Sequence, residues 1–233
     1  MTVWLRGDHL VRSRGPVANR PDEPILLVEA ESFARKLPYH PHKLTLVISA
    51  MRHFRDELRA AGRDVRYRRA ASFADGLAAH FQAAPDDHLV TTAPQTDAAR
   101  QRLRELVENA GGTVEFVPDE RFCCSPAQFD RWDGEGRYRH EEFYRFMRRE
   151  TGYLMDDGEP VGGEWNYDDQ NRETPPEDWA PAEPPTFAPD ELTDSVRQWV
   201  NDTFAGGYDD PPFGGDWADP ERFRWPVTRR QAV

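Results

Sequence analysis

The sequence predicts an α/β fold: a Rossmann-like five-stranded parallel sheet with helices on both faces, followed by an extended, partly helical acidic linker. Two observations predict it. Short apolar runs of strand length alternate with helix-period patterns through the first 120 residues, the order that builds a parallel sheet with crossover helices. Beyond residue 150 the composition changes: residues 151–233 hold 19 acids against 6 bases, with 11 of the 20 prolines and 8 of the 16 glycines. The division expected from this is a Rossmann-like domain over residues 1–150 and an acidic linker over 151–233.

The first strand is Thr2–Leu5 (TVWL) and the second is residues 25–28 (ILLV), both continuous apolar runs. Residues 65–68, 88–92 and 113–117 supply the other three. The strongest helix spans residues 42–61. It places Leu44, Val47, Ile48, Met51, Phe54 and Leu58 at spacings of three and four, on one face, and Gly62 supplies a left-handed stop. A second helix runs over residues 72–83, with Ser72 as N-cap and Phe73, Leu77 and Phe81 inward. The third covers residues 96–110 and stops at Gly111-Gly112. Ser125-Pro126 reads as an N-cap followed by proline at the first helical position.

Parallel sheets of this kind bind ligands at the carboxyl ends of their strands, near the switch in strand order. The loop Arg6–Leu10 after the first strand is therefore the first place to look, and Glu29, after the second strand, opens onto the same crevice. The loop has one glycine rather than G-x-G-x-x-G, and no phosphate-loop motif occurs, which disfavours a standard dinucleotide or P-loop site. Gly7-Asp8 also reads as a plain turn, with Asp8 capping a backbone donor. His40 and His42 read as solvated loop histidines, and His53 as a flanking or capping residue on the long helix. No nucleophile elbow or zinc-protease helix is present.

The acidic third carries 5 of the 7 tryptophans. It reads either as a segment that wraps a surface or as a disordered linker. Residues 139–155 are expected to hold as a helix, with most of the chain after Pro175 loosely held. Adjacent Cys123 and Cys124 offer no disulfide framework and no four-thiolate metal site. With no apolar run of membrane length and no signal-peptide plan, the expected location is cytoplasmic. Two lysines against 28 arginines, with surplus acid, resemble an archaeal or halophile-like composition. A nearly neutral first domain and an acidic remainder disfavour DNA binding by this chain.

Three segments add up to something more specific: WLRGDHL at the first strand, HKLTLVISAMRHFRDELRAAGRDVRY from the long helix to the third strand, and EEFYRFMRRETGYLM…GEPVGGEWNYDDQNR after the sheet. Together with FAPDEL and FRWPVTRRQA they resemble the prokaryotic cryptochrome/photolyase branch with an iron–sulfur cluster, the deoxyribodipyrimidine photolyase-related proteins. The resemblance implies an N-terminal antenna domain for 6,7-dimethyl-8-ribityllumazine, followed by a helical domain for FAD, a 4Fe-4S cluster and damaged DNA. FAD and the cluster are not expected in this chain, which stops where that second domain would begin, as a truncated or split gene would. Repair by this light-driven DNA lyase chemistry is not expected from the chain alone.

The same resemblance assigns the lumazine to Gly7, Asp8, His9 and Leu10, to Glu29, and to Val47, Ala50 and Met51 on the long helix. Asp8 or Glu29 would hydrogen-bond the ribityl hydroxyls, and Val47 and Met51 would pack on the rings. No catalytic or metal-binding residue is assigned. His9 stands where the family commonly has glutamine. The alternatives are a non-enzymatic interaction module pairing with a separately encoded helical domain, and a stand-alone α/β nucleotide-binding protein.

Overall fold

Five parallel strands form the sheet: β1 (Thr2–Leu5), β2 (Ile25–Ala30), β3 (Val65–Ala70), β4 (His88–Thr92) and β5 (Thr113–Val117). They lie in the order β3-β2-β1-β4-β5, so the strand order reverses between β1 and β4. The computed structural model describes residues 1–132, 138–168, 174–204 and 219–233. All five expected strands are present, with β2 and β3 each continuing two residues further, to Ala30 and Ala70.

Alternate side chains of β1 and β2 feed two cores, as the period of a strand requires. Val3, Leu5, Ile25 and Leu27 face α3 (Pro41–Ala60), which contributes Met51, Phe54 and Leu58. Trp4, Leu26 and Val28 face the other way, onto Leu77 and Phe81 of α4 (Phe73–Ala83) and Val107 of α5 (Asp97–Asn109). The helix starts follow the expected chemistry. The Ser72 hydroxyl accepts from the Asp75 amide at 3.1 Å, and Thr96 accepts from the Ala99 amide at 3.2 Å. Gly62 takes φ +80° where α3 ends, a conformation that side chains with a Cβ rarely adopt. Two short helices, residues 15–19 and 31–34, stand in segments where the pattern marked none.

His40 and His42 require correction, because neither is a solvated loop histidine. His40 is the N-cap of α3 and accepts from the His42 amide at 3.0 Å. His42 is buried, its ring edge-on to Phe223 and Trp225, and its Nε2 lies 2.9 Å from the Asp219 carbonyl oxygen.

The expectation of a loosely held chain after Pro175 is likewise overturned for residues 185–204 and 219–233. These form one compact unit with residues 1–118, and residues 119–184 form a second. The helix Glu191–Phe204 packs along α3, burying Val196, Val200 and Phe204 against Ala34, Leu44 and Ile48. Apolar contact outweighs the acidic surplus because the acids lie on the helix's outer side: Glu191 and Asp202 are exposed. A boundary at residue 150, drawn on composition, falls inside the second unit.

That second unit holds the helices Pro126–Trp132 and His140–Thr151 and the two-stranded hairpin Met155–Asp156 with Glu159–Pro160. Ser125 caps the first, its hydroxyl accepting from the Gln128 amide at 3.2 Å. The expected helix over 139–155 ends at Thr151, where Gly152 turns left-handed at φ +71°.

The amino edge of the sheet carries an acid-sensitive tie. His80, 1% exposed, lies with Nε2 2.9 Å from Asp87, which also meets the chain's amino group at 3.1 Å. Burial works to raise the Asp87 carboxyl, but the Thr2 hydroxyl, the amino group and His80 bring it down to about 2. Burial pushes His80 down, against the pull of Asp87. Both shifts have the same consequence. The unfolded chain takes up a proton on His80 from pH ~6.5 downward and on Asp87 from ~4, while the fold resists both. Stability is therefore expected to fall from pH 6.5 to pH 2, and Asp87→Asn is expected to flatten the limb below pH 4. Urea titration across that range checks it; an unchanged limb in the variant would rule the tie out.

Candidate functional site

The carboxyl edge of the sheet has a polar loop at its centre. Arg6, just past β1, donates from Nη1 to the Thr92 carbonyl oxygen at 3.0 Å, bridging the point where the strand order reverses. The amide of His9 donates to the Arg6 carbonyl at 2.9 Å, closing a turn that presents Asp8. His9 is 7% exposed, and its Nδ1 lies 2.7 Å from the Asp8 carboxylate. A proton on Nδ1 makes that bond, and Arg6 Nη2 lies 3.4 Å from Nδ1 and 3.5 Å from Nε2 of the same ring. Burial opposes ionisation of Asp8, but the His9 hydrogen bond and the charge of Arg6 hold its carboxyl below the usual range.

Gly7 sits against α3. A Cβ there would fall 2.9 Å from Met51 Sδ and 3.5 Å from Val47 Cγ1, so glycine is what allows the loop to approach the helix. The structure thus brings Gly7, Val47 and Met51 together. Met51 belongs to the buried core under the sheet; Leu10 and Val47 are half-buried at its lip, and Ala50 is half-buried on the same helix.

Glu29 is one strand over. The β1–β2 register pairs Leu5, the last residue of β1, with Leu27, two residues before Glu29. Its carboxylate is buried and fully engaged. Arg52 grips it with two bonds, Nε to Oε2 at 2.9 Å and Nη2 to Oε1 at 2.7 Å. Arg69 Nε donates at 3.1 Å, and the Tyr67 hydroxyl donates to Oε2. Four donors fill the four lone-pair positions of a carboxylate. A direct bond from Glu29 to a ligand hydroxyl, as expected from the sequence, has no acceptor position left; Glu29 instead fixes two arginines. Burial would raise its pKa, yet the bonds from Arg52 and Tyr67 hold it below the ordinary carboxylate value. Burial and the neighbouring carboxylate push the Tyr67 hydroxyl up.

Arg6 lies in the loop that the sequence marks, whereas Arg52, Tyr67, Arg69 and Trp199 carry no such mark. Trp199 comes from the docked helix and lies under both guanidiniums, 5.7 Å from Arg52 and 5.2 Å from Arg69. The strand alternation in VRYRRA does put Tyr67 and Arg69 on one face, and that was the available signal.

In the second unit, Arg148 donates to the carbonyl oxygens of Trp165, at 3.2 Å, and Leu154. Arg145, Arg148 and Arg149 surround the Trp165 ring at 4.8–5.4 Å. The MRRETGYLM…GEW pattern is therefore an internal clip of this unit, beside a cavity of about 670 Å³ lined by His140, Tyr144 and Trp165 among others. Asp169, Gln170, Asn171 and Arg172 of the same pattern lie outside the described residues.

A parallel sheet with a polar loop at its switch point and an apolar lip beside it is the arrangement in which open α/β folds place their ligand sites. The profile of the deoxyribodipyrimidine photo-lyase-related proteins matches residues 3–217, and the chain belongs to that family. It is also similar to a protein of Agrobacterium fabrum (strain C58 / ATCC 33970) named "(6-4) photolyase", with 33% identity over 239 residues. That match covers 99% of this chain and 45% of the relative, so the chain spans less than half the relative's length. No helix among the described residues is long and apolar enough to cross a membrane.

Proposed function

We propose that this chain binds an antenna chromophore for photolyase-type chemistry, with 6,7-dimethyl-8-ribityllumazine as the ligand. One observation carries the proposal. At the carboxyl edge, the half-buried apolar lip of Leu10 and Val47 adjoins the polar set Arg6, Asp8 and His9, with Gly7 between them. A flat heterocycle bearing a polyhydroxylated chain needs that pairing of an apolar wall with hydrogen-bonding groups. Val47 and Leu10 would pack on the rings, and Asp8 would accept from ribityl hydroxyls. When bound, such a group supplies near-ultraviolet absorption and passes its excitation on. The excitation's recipient is a flavin-binding helical domain, which is the partner proposed here. Cys123 and Cys124 fall short of the four thiolates that an iron–sulfur cluster needs.

Titration with ribityllumazine is expected to shift its absorption band to the red. Val47→Trp should weaken binding at least tenfold by filling the lip, whereas FAD should not compete. Unchanged affinity in the variant, or displacement by FAD, would refute the assignment.

A further inference from the structure

Beside the lip, at the carboxyl ends of β2 and β3, lies a cavity of about 230 Å³ lined by Glu29, Glu31, Arg69, Ala70, Ala71 and Trp199. Its charges do not cancel. Glu29 is neutralised by Arg52, 2.7 Å away. Glu31, the other carboxylate, is held by Arg35, whose Nε donates at 2.9 Å. The Arg69 charge remains. Its Nε is anchored on Glu29 and its plane lies over Trp199, while the side chain is 55% exposed. Its terminal amino groups make no hydrogen bond among the described residues. A guanidinium held at one nitrogen and braced on an indole is preorganised, because little side-chain freedom remains to be lost on binding.

We propose that this cavity binds a phosphate group through the Arg69 fork, either as free phosphate or as the end of a longer ligand lying along the carboxyl edge. Planar, two-pronged donors fit a phosphate's oxygens, and with Glu29 and Glu31 held by Arg52 and Arg35 from outside the lining, the cluster as a whole keeps one positive charge for an anion. Two strand spacings separate β1 from β3 in the sheet order, about 10 Å, which a ribityl chain with a terminal phosphate spans. Only this longer-ligand form rests on the chromophore assignment above.

Calorimetry on the full chain with inorganic phosphate, riboflavin and riboflavin 5′-phosphate tests the proposal. The expected result is saturable phosphate binding, and riboflavin 5′-phosphate binding at least tenfold more tightly than riboflavin. Arg69→Gln should erase that tenfold preference and leave riboflavin affinity unchanged. Ala71→Asp, which leaves the Glu29–Arg52 pair intact, should abolish phosphate binding. If neither flavin binds but phosphate does, the longer-ligand form fails and the phosphate site stands, while the lumazine titration alone decides the chromophore assignment. If phosphate does not bind and gives the flavin no advantage, or if Arg69→Gln weakens both flavins equally, the phosphate site is overturned.

Discussion

Replacing Arg52 by leucine is expected to cost about 3–5 kcal/mol of stability, the range found when one partner of a buried ion pair is removed. For a chain of this size, that lowers the melting temperature by on the order of 10 °C. The cause is the carboxylate left behind. Glu29 is 6% exposed, and two of its four hydrogen bonds come from Arg52. Arg69 and Tyr67 stay, which places the loss toward the lower end of the range. The pH dependence separates this mechanism from simple loss of packing. In the parent chain the depressed Glu29 pKa contributes stability above the unfolded value, near 4.3, and that contribution is lost as the pH falls through the folded value. Without Arg52, burial dominates and raises the carboxyl, so Arg52→Leu should lose less relative to the parent at pH 4 than at pH 7. Thermal unfolding at both values reads it, and Glu29→Leu with Arg52→Leu should recover most of the loss. A deficit equal at both pH values would mean that packing, not charge, is what Arg52 supplies.

The sheet was legible because its strands are locally written. TVWL, ILLV and the alternation of apolar runs with capped helices each decide a backbone without help from distant residues. The site was only half legible, for the opposite reason. Gly7 and Asp8 are marked by their place after the first strand, but the groups that complete them come from far along the chain: Thr92 is 86 residues from Arg6, and Glu29 is 40 from Arg69. Glu29 looked available because Tyr67 and Arg69 become its partners only once β2 and β3 pair in register, and Arg52 only once α3 packs on the sheet. The apolar stripe of α3 held a further signal. Six residues were placed on one inward face, yet the stripe is wide enough to serve two neighbours. Met51, Phe54 and Leu58 meet the sheet, while Leu44 and Ile48 meet the docked helix. That helix was itself written at helical spacing, as Leu192, Val196, Trp199 and Val200, and an average over 83 acidic, proline-rich residues concealed it.

The docked helix should therefore detach when its apolar face is charged, and hardly at all when its polar tethers are cut. The tethers are His53 with Thr193 at 3.2 Å, His53 with Asp190 at 3.3 Å, and Arg35 with the Thr203 carbonyl at 3.1 Å. These are partly exposed, and each hydrogen bond of this kind contributes about 0.5–1.5 kcal/mol. Val196 and Val200 are 0% and 1% exposed and Phe204 is buried beside them, at about 1.5–3 kcal/mol for each side chain removed from water. Val200→Asp both loses that burial and brings a carboxylate against the apolar side chains of Leu44 and Ile48. The expected outcome is release of residues 185–204 and 219–233 to protease with the sheet still folded, as judged by circular dichroism. Trp199 fluorescence should move to longer wavelength as the indole leaves Arg52 and Arg69. Asp190→Asn should leave the digestion pattern nearly unchanged. Because the contact is apolar, the parent segment should resist protease at low salt as well as in molar salt, despite the net charge of -13 over residues 151–233. If Asp190→Asn freed the segment more readily than Val200→Asp, charge rather than burial would hold the helix on α3.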